Sequence, residues 1–253
     1  MSITHLLILG LAAIAGGAVN ALAGGGTLIT FPVLTAVGVP FVSANITNTV
    51  ALCPGYLGAT IAQMRDLRGQ SLRLWFLIPT SIIGGVGGGI LLLHTSDHVF
   101  AKTVPYLILL AVILMALQDQ IRAFLLRKTG KTETSPFHEA WIILPILPAA
   151  VYGGYFGAGL SIITIAVLCV VINDSIIRLN ALKQILAFSI NTAACIFFLF
   201  SGKIVWSAAL VMAVCALAGG ALGGWMAGKV KPLTLRYIVI GIGTIVALYY
   251  FIH

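Results

Sequence analysis

The sequence predicts an all-α polytopic membrane protein with two inverted repeats, each a glycine-broken helix pair followed by three full transmembrane helices. Three observations predict this fold: an apolar composition, two long apolar runs interrupted by glycines, and basic residues concentrated on one side of the predicted membrane. Of 253 residues, 60% are hydrophobic and 8% are charged, and the mean hydropathy is +1.11. Soluble domains carry about 25% charged residues, so nearly the whole chain is expected in or near a bilayer.

Two apolar runs, 6–37 and 140–172, are each about 32 residues long, whereas one bilayer span needs about 20. Glycines interrupt the first run at NALAGGGT (20–27) and the second at YGGYFGAG (152–159). Unwound backbone is tolerated at membrane depth only where protein or a water-filled cavity satisfies its polar groups. Two breaks in corresponding places therefore predict a transport site built from discontinuous helices. The alternative is that these glycines only allow close helix packing.

An internal repeat relates the two halves of the chain. The glycines at 84–85 and 88–89 match those at 219–220 and 223–224 at an offset of 135, as Asn45 matches Asn180. The predicted halves are 1–126 and 140–253, joined by a cytoplasmic linker over 127–139. Six full spans are predicted, three in each half: about 43–64, 74–93, 104–121, 176–200, 204–227 and 233–252.

Loop charge predicts the topology. If each broken run crosses the membrane an even number of times, twelve of the fourteen basic residues share one side, whereas a single crossing splits them eight to six. Because Lys and Arg concentrate in cytoplasmic loops, the first arrangement is preferred. It inverts the second half relative to the first and places both termini outside. Whether each broken run is a re-entrant hairpin or two short spans stays open.

Each break offers the start of a half-helix, where free N–H groups and the positive end of the helix dipole favour an anion. The predicted site comprises the residues that open these half-helices and the polar residues that flank the breaks. For the flanking tyrosines, aromatic packing is the alternative. The residues are Gly24, Gly25, Gly26, Thr27, Gly157, Ala158, Gly159 and Ser161, flanked by Asn20, Tyr152 and Tyr155.

Polar residues near the start of the next span in each half complete the predicted site: Asn45, Asn48 and Thr49, and Asn180, Lys183 and Gln184. The alternative is N-capping by Asn45 and interhelical hydrogen bonding by the others. Lys183 lies about 10 Å along its helix, where a lysine is a functional candidate by default. Its alternative is snorkelling of the ammonium group to the membrane surface.

Several classes of protein are disfavoured. The sequence carries no zinc-protease, nucleophile-elbow or P-loop motif, so neither an enzyme nor ATP coupling by this chain is expected. All six acidic residues fall in predicted loops or at span ends, which argues against a carboxylate proton relay or a metal-cation carrier. We expect no metal and no cofactor. The four cysteines have no metal-ligand spacing, and the net charge of +8 indicates cytoplasmic loops rather than nucleic-acid binding.

The stretch GGAVNALAGGGTLITFP (16–32), the second break and the glycine-rich spans resemble the sulfite exporter TauE/SafE family over essentially the whole chain. The resemblance implies a permease for small sulfur-containing anions, such as sulfite or organosulfonates, in a prokaryotic inner membrane. A secondary transporter with alternating access is the leading expectation. An anion channel with the same site, or a permease for another small carboxylate or oxyanion, is the alternative. The sequence leaves open a homodimer, the coupling ion and the direction of transport.

Overall fold

The computed structural model describes residues 1–22, 25–128, 143–172, 174–226 and 232–252. In these ranges the chain is helical and contains no strand, which confirms the predicted all-α class. The α-helices, in chain order, are α1 Ile3–Leu22, α2 Thr27–Ala36, α3 Phe41–Ala62, α4 Ser71–His94, α5 Asp97–Lys128, α6 Ile143–Tyr155, α7 Leu160–Val171, α8 Ile176–Leu199, α9 Trp206–Met226 and α10 Pro232–Ile252. A 3-10 helix, Met64–Leu67, follows α3.

Five helices in the described ranges are long and apolar enough to cross a membrane: α1, α4, α5, α8 and α9. The helix α3 is 22 residues long but carries a polar segment, and it is not among the five. The helix α10 is 21 residues long, and side chains are described for its apolar segment Arg236–Ile252. Large apolar side chains such as Trp75, Phe200 and Ile252 are exposed on the bundle surface. Such a surface is expected of a polytopic membrane protein, whose outer face contacts lipid.

Several helix boundaries differ from those predicted: α4 begins at Ser71 instead of 74, and α5 begins at Asp97 instead of 104. The helix α3 begins at Phe41, directly after Pro40, so Asn45 lies one turn inside and the N-capping interpretation of Asn45 is wrong. The helix α5 continues past residue 121 to Lys128, and it includes Asp119 and the first two residues of the predicted linker. The rest of the linker lies outside the described residues.

Glycines allow close contact between two pairs of helices, α1 with α9 and α6 with α4. In each pair the first helix of one half packs on the fourth helix of the other. A Cβ atom at Gly223 of α9 would lie 2.7 Å from the carbonyl oxygen of Ala18 in α1. A Cβ atom at Gly88 of α4 would clash with the carbonyl oxygen of Val151 in α6. Any larger residue would force these backbones apart, so the glycine-rich segments of α4 and α9 serve close helix packing. The two contacts occupy corresponding positions in the two halves.

The third helices of the two halves, α3 and α8, cross the centre of the bundle side by side. The Cys53 sulfur lies 3.6 Å from the Thr192 hydroxyl, and the Thr60 hydroxyl donates to the Gln184 carbonyl at 3.3 Å. Residue numbers fall along α8 as they rise along α3, so the two helices are antiparallel.

The fifth helices of the two halves, α5 and α10, are antiparallel as well. Near the start of α5, Tyr106 packs on Phe251 at the end of α10. Further along α5, the Val112 side chain lies against Gly243, which is earlier in α10. Two of the corresponding helix pairs therefore run in opposite directions.

Candidate functional site

The first break separates α1, which ends at Leu22, from α2, which begins at Thr27. Gly24 lies outside the described residues. Gly25 has φ of +90°, a left-handed conformation that favours glycine. Its neighbour Gly26 packs so closely on α1 that a Cβ atom there would clash with the Gly16 carbonyl oxygen. The α2 N-terminus is therefore held directly against α1.

Asn48 of α3 fixes the first turn of α2. Its side-chain oxygen accepts from the Thr30 hydroxyl at 2.5 Å, and its side-chain nitrogen donates to the Thr27 hydroxyl at 3.4 Å. All three residues are buried. The interhelical hydrogen bonding given as the alternative for Asn48 is therefore present. The Thr49 hydroxyl donates back to the Asn45 carbonyl at 2.9 Å within α3.

The side of α1 that precedes the first break also contacts α3. The buried side chain of Tyr56 in α3 lies beside the Asn20 side chain. Both segments that flank the break therefore contact α3. In this half of the predicted site, the side chain of Asn48 is occupied by hydrogen bonds within the protein.

The second break separates α6, which ends at Tyr155, from α7, which begins at Leu160. The two glycines of the turn, at positions 157 and 159, have φ of +76° and +74°. Ala158 between them is fully buried, and its carbonyl accepts from the Tyr152 hydroxyl at 2.6 Å. That hydroxyl proton therefore stabilises the turn. Ser161 lies half-buried in the first turn of α7.

Asn45 connects the second break to the first half. Its side-chain nitrogen donates to the Tyr155 carbonyl at 2.7 Å, at the end of α6. Its side-chain oxygen is buried and has no hydrogen-bond partner among the described residues. Asn45 therefore stabilises the unwound end of α6 and retains one free acceptor.

Both breaks lie against the same turn of α5. A Cβ atom at Gly25 would clash with the Met115 methyl carbon, and one at Gly159 would lie 3.3 Å from Ala111. Met115 and Ala111 are one helical turn apart, a rise of about 6 Å. The same short segment of α5 therefore supports both turns.

A pair of aromatic rings also joins α2 to the second break. The buried rings of Phe31 and Phe156 pack edge to face, with their centroids 5.5 Å apart. Such pairs contribute about 0.5 to 1.5 kcal/mol beyond the burial of their area. The structure thus brings the two breaks together, although they lie in different halves of the chain.

Lys183 occupies in α8 the position that Asn48 occupies in α3. Its side chain is partly buried, and within the described residues it forms no ion pair or hydrogen bond. Asn180, one turn earlier, donates to the Gln63 side chain at 2.7 Å. The backbone carbonyl of Gln184 accepts a hydrogen bond from the Thr60 hydroxyl of α3. Lys183 is therefore the charged group of the predicted site, and no described side chain neutralises it.

Some contacts at the site involve residues that the sequence interpretation missed. Thr30 follows Thr27 by three positions and shares its helix face, so helical spacing could have identified it. Tyr56, Ala111 and Met115 carry no comparable signal, because their contacts depend on the packing of distant segments. No group of His, Cys, Asp or Glu suited to a metal ion occurs in the described part of the chain.

Comparison with known proteins identifies the family. The model of the family described as "Sulfite exporter TauE/SafE" matches residues 8–250. The chain belongs to this family. The resemblance seen in the glycine motifs is thereby confirmed, and the matched range includes both breaks and all ten described helices in whole or in part. No solved structure matches the chain.

Several relatives of this TauE/SafE chain are named as membrane transporters. A "Probable membrane transporter protein" of Haemophilus influenzae is 27% identical over 223 residues, 88% of this chain and 85% of that protein. The "Probable membrane transporter protein YfcA" of Escherichia coli K12 is 24% identical over 217 residues, 83% of this chain and 76% of that protein. The Sinorhizobium "Probable membrane transporter protein ORF9" is 24% identical over 223 residues, 87% and 82% of the two chains.

Proposed function

We propose that the protein is a secondary transporter for small sulfur-containing anions, such as sulfite or organosulfonates, in the inner membrane of a prokaryote. The observation that carries the proposal is the meeting of two glycine breaks at one turn of α5. Each break precedes a helix N-terminus, and such termini attract anions through free N–H groups and the helix dipole. The family name and the names of the relatives support a transport function.

Lys183 supports an anionic substrate. A lysine within a membrane span costs about 2.5 to 3.5 kcal/mol on insertion scales, so its charge needs compensation. Since no described side chain pairs with it, a bound anion is the partner that we propose. The N-termini of α2 and α7 would then share the anion's remaining oxygens.

The antiparallel pairs α3–α8 and α5–α10 support the inverted repeat. Corresponding helices that pack antiparallel are related by a two-fold axis perpendicular to them, and such an axis lies in the plane of the membrane. Along α2, Thr27 contacts Asn48 inside α3, whereas Thr35 contacts Tyr250 near the end of α10. The helix α2 thus runs toward the face of the membrane where α10 ends. In the inverted topology α1 begins at that same face, so α1 and α2 would form a hairpin that enters and leaves at one face. Alternating access would follow from one half rocking against the other.

The charge distribution supports an orientation with both termini outside and the linker inside the cell. Cysteine accessibility in a cysteine-free background tests it: position 252 should label from outside, and labelling of that position only from the cytoplasm would contradict the inverted topology. The proposed partners are the small anion and the lipid bilayer. A homodimer is tested by light scattering on the protein in detergent.

Flux through proteoliposomes tests the function. A carrier should show saturable uptake of sulfite or sulfoacetate and counterflow, whereas an anion channel with the same site should show neither. A binding panel of sulfite, sulfate, thiosulfate, sulfoacetate and taurine on purified protein identifies the substrate class. Acetate is added to the panel as a simple carboxylate, and binding of acetate without binding of the five sulfur compounds would support the permease for another small carboxylate.

A further inference from the structure

A cluster of three charged side chains joins the two halves at one end of the bundle, away from the breaks. Arg73 of α4 donates from Nη1 to Oδ2 of Asp174 at 2.5 Å, and Nε of Arg178 in α8 lies 3.2 Å from the same oxygen. The side chains of Arg73 and Asp174 are only 14% and 15% exposed. We call Arg73, Asp174 and Arg178 the ionic latch, because the first belongs to one half and the others to the second.

Further polar contacts surround the ionic latch, and two of them, Gln70 to Arg178 and Asn180 to Gln63, join the two halves. The buried Gln70 donates to the Asp66 carbonyl at 2.9 Å and to the Arg178 carbonyl at 3.4 Å. The Gln70 side-chain oxygen accepts from Arg73 at 3.3 Å. The hydrogen bond from Asn180 to Gln63 joins α8 to the chain just after α3 at the same end of the bundle. We call the contact between α3 and α8 the seam. In this conformation polar contacts hold the seam together at this end.

Around the second break the two halves are joined in a different way. Phe31, Phe100 and Phe156 pack there in edge contacts, with ring centroids 5.5 to 6.4 Å apart. At the repeat offset of 135, the position of the latch arginine in α4 corresponds to Ala208, and that of the latch aspartate to Val39. The ionic latch therefore has no counterpart at the corresponding positions of the repeat.

The two arginines of the ionic latch form the kind of cationic pair that binds an anion. In this structure the anion bound there is the carboxylate of Asp174. Two guanidinium groups share one carboxylate oxygen. The other carboxylate oxygen accepts from the Ser175 backbone N–H at 2.7 Å, at the start of α8. Arginine binds the oxygens of carboxylates and other oxyanions with similar geometry. A sulfonate offers such oxygens to the same donors.

We propose that Arg73 and Arg178 form a second anion-binding site, which Asp174 occupies while the seam is closed and which the transported oxyanion occupies when it opens. The proposal rests on the proposed transport function. Separating a largely buried ion pair is costly because it leaves a charge unpaired. An incoming anion removes this cost for the arginines, so anion binding and opening of the seam are coupled.

Cys53 is a native reporter for this opening. It faces Thr192 across the seam, about 14 Å along α3 from the latch end. In a background with the other three cysteines changed to alanine, a membrane-impermeant maleimide is applied from the latch side. Asp174→Asn should label Cys53 about tenfold faster than the parent without anion, since one charge-assisted hydrogen bond is worth about that factor. Asp66→Asn, at the same end of the bundle, is the matched control and should label at the parental rate.

The anion-binding part is tested with sulfoacetate and sulfate, which do not react with maleimides. Either anion should accelerate labelling of the parent in a saturable way. Arg178→Gln retains the bond between Arg73 and Asp174, so its labelling without anion should stay slow, while its half-maximal anion concentration rises about tenfold. The double variant Arg73→Asp with Asp174→Arg should restore slow labelling.

Any one of three results would overturn the proposal. Parental labelling of Asp174→Asn would show that the latch does not hold the seam closed. An unchanged half-maximal concentration in Arg178→Gln, or no acceleration of the parent by either anion, would show that the arginines do not bind the anion. Labelling does not require transport, so a protein that gives the expected labelling but carries no anion across proteoliposomes would contradict the transport function instead.

Discussion

The two glycine breaks have the same place in the two halves but different surroundings. At the first, Asn48 is neutral, and both ends of its amide are bonded to threonines of α2. In the second half, the corresponding Lys183 of α8 is charged and bonds to none of the described residues. We infer from this difference that the two half-sites divide their roles: the first holds a fixed helix N-terminus, and the second supplies the charge for the ligand.

The two glycine turns also differ in how firmly the surrounding residues support them. The turn at Gly25 is covered by the end of a flexible side chain, Met115, whereas Gly159 lies against Ala111, close to the α5 backbone. The second turn is also bridged by the hydroxyl of Tyr152. A rigid second turn would keep the α7 N-terminus at a fixed distance from α5. Substitutions at these positions can separate fixed support from ligand binding.

The largest expected effect is on anion binding. Lys183→Gln should weaken binding of sulfite or sulfoacetate about tenfold or more, because a hydrogen bond to a charged group contributes about 1.5 to 3 kcal/mol. Lys183→Arg should retain part of the affinity, because it keeps the charge. Isothermal titration of purified protein measures the effect. If Lys183→Gln binds and transports like the parent, the lysine only marks the membrane surface.

Asn48→Ala should act on stability instead. It leaves the buried Thr27 hydroxyl without its Asn48 partner and removes one of the two acceptors of the Thr30 hydroxyl, which keeps the Gly26 carbonyl, at a cost of about 2 kcal/mol. The melting temperature in detergent should fall, while the anion affinity of the folded protein changes less than in Lys183→Gln. A variant of Asn48 with parental stability and lost binding would reverse the roles that we assign to the two half-sites.

A glycine substitution at each break compares the two turns. Gly25→Ala and Gly159→Ala should each cost roughly 1 to 2 kcal/mol, because both positions have positive φ. Adding Met115→Ala should recover part of the loss in Gly25→Ala by removing the methyl group that the new Cβ would meet. No side-chain truncation frees Gly159, since the Ala111 Cα atom lies as close as its Cβ atom. Thermal unfolding of both glycine variants, of Met115→Ala and of the double variant measures this difference.

Composition and motif spacing predicted the helical membrane class and the family from sequence alone. Two of the boundaries that differ have local reasons: α3 begins directly after Pro40, before the expected start, and the basic residues after position 121 continue α5 because Arg and Lys are good helix formers. The contacts of Asn48 with Thr30 and of Gly25 with Met115 could not be predicted, because one sequence gives no distances between remote segments.

The smallest expected effect is that of Tyr152→Phe. The change removes the hydroxyl that donates to the buried Ala158 carbonyl and should destabilise the protein by about 1 kcal/mol. Because that hydroxyl proton is directed at the protein backbone, the affinity for sulfoacetate should stay within about twofold of the parent, a difference of about 0.4 kcal/mol. Titration of the Tyr152→Phe and Lys183→Gln variants with sulfoacetate compares their affinities. It shows which residue of the second half-site supports the turn and which binds the anion. A tenfold loss of affinity in Tyr152→Phe would mean that the hydroxyl turns to the ligand when the anion binds, so that the second turn would be part of the binding machinery rather than its support.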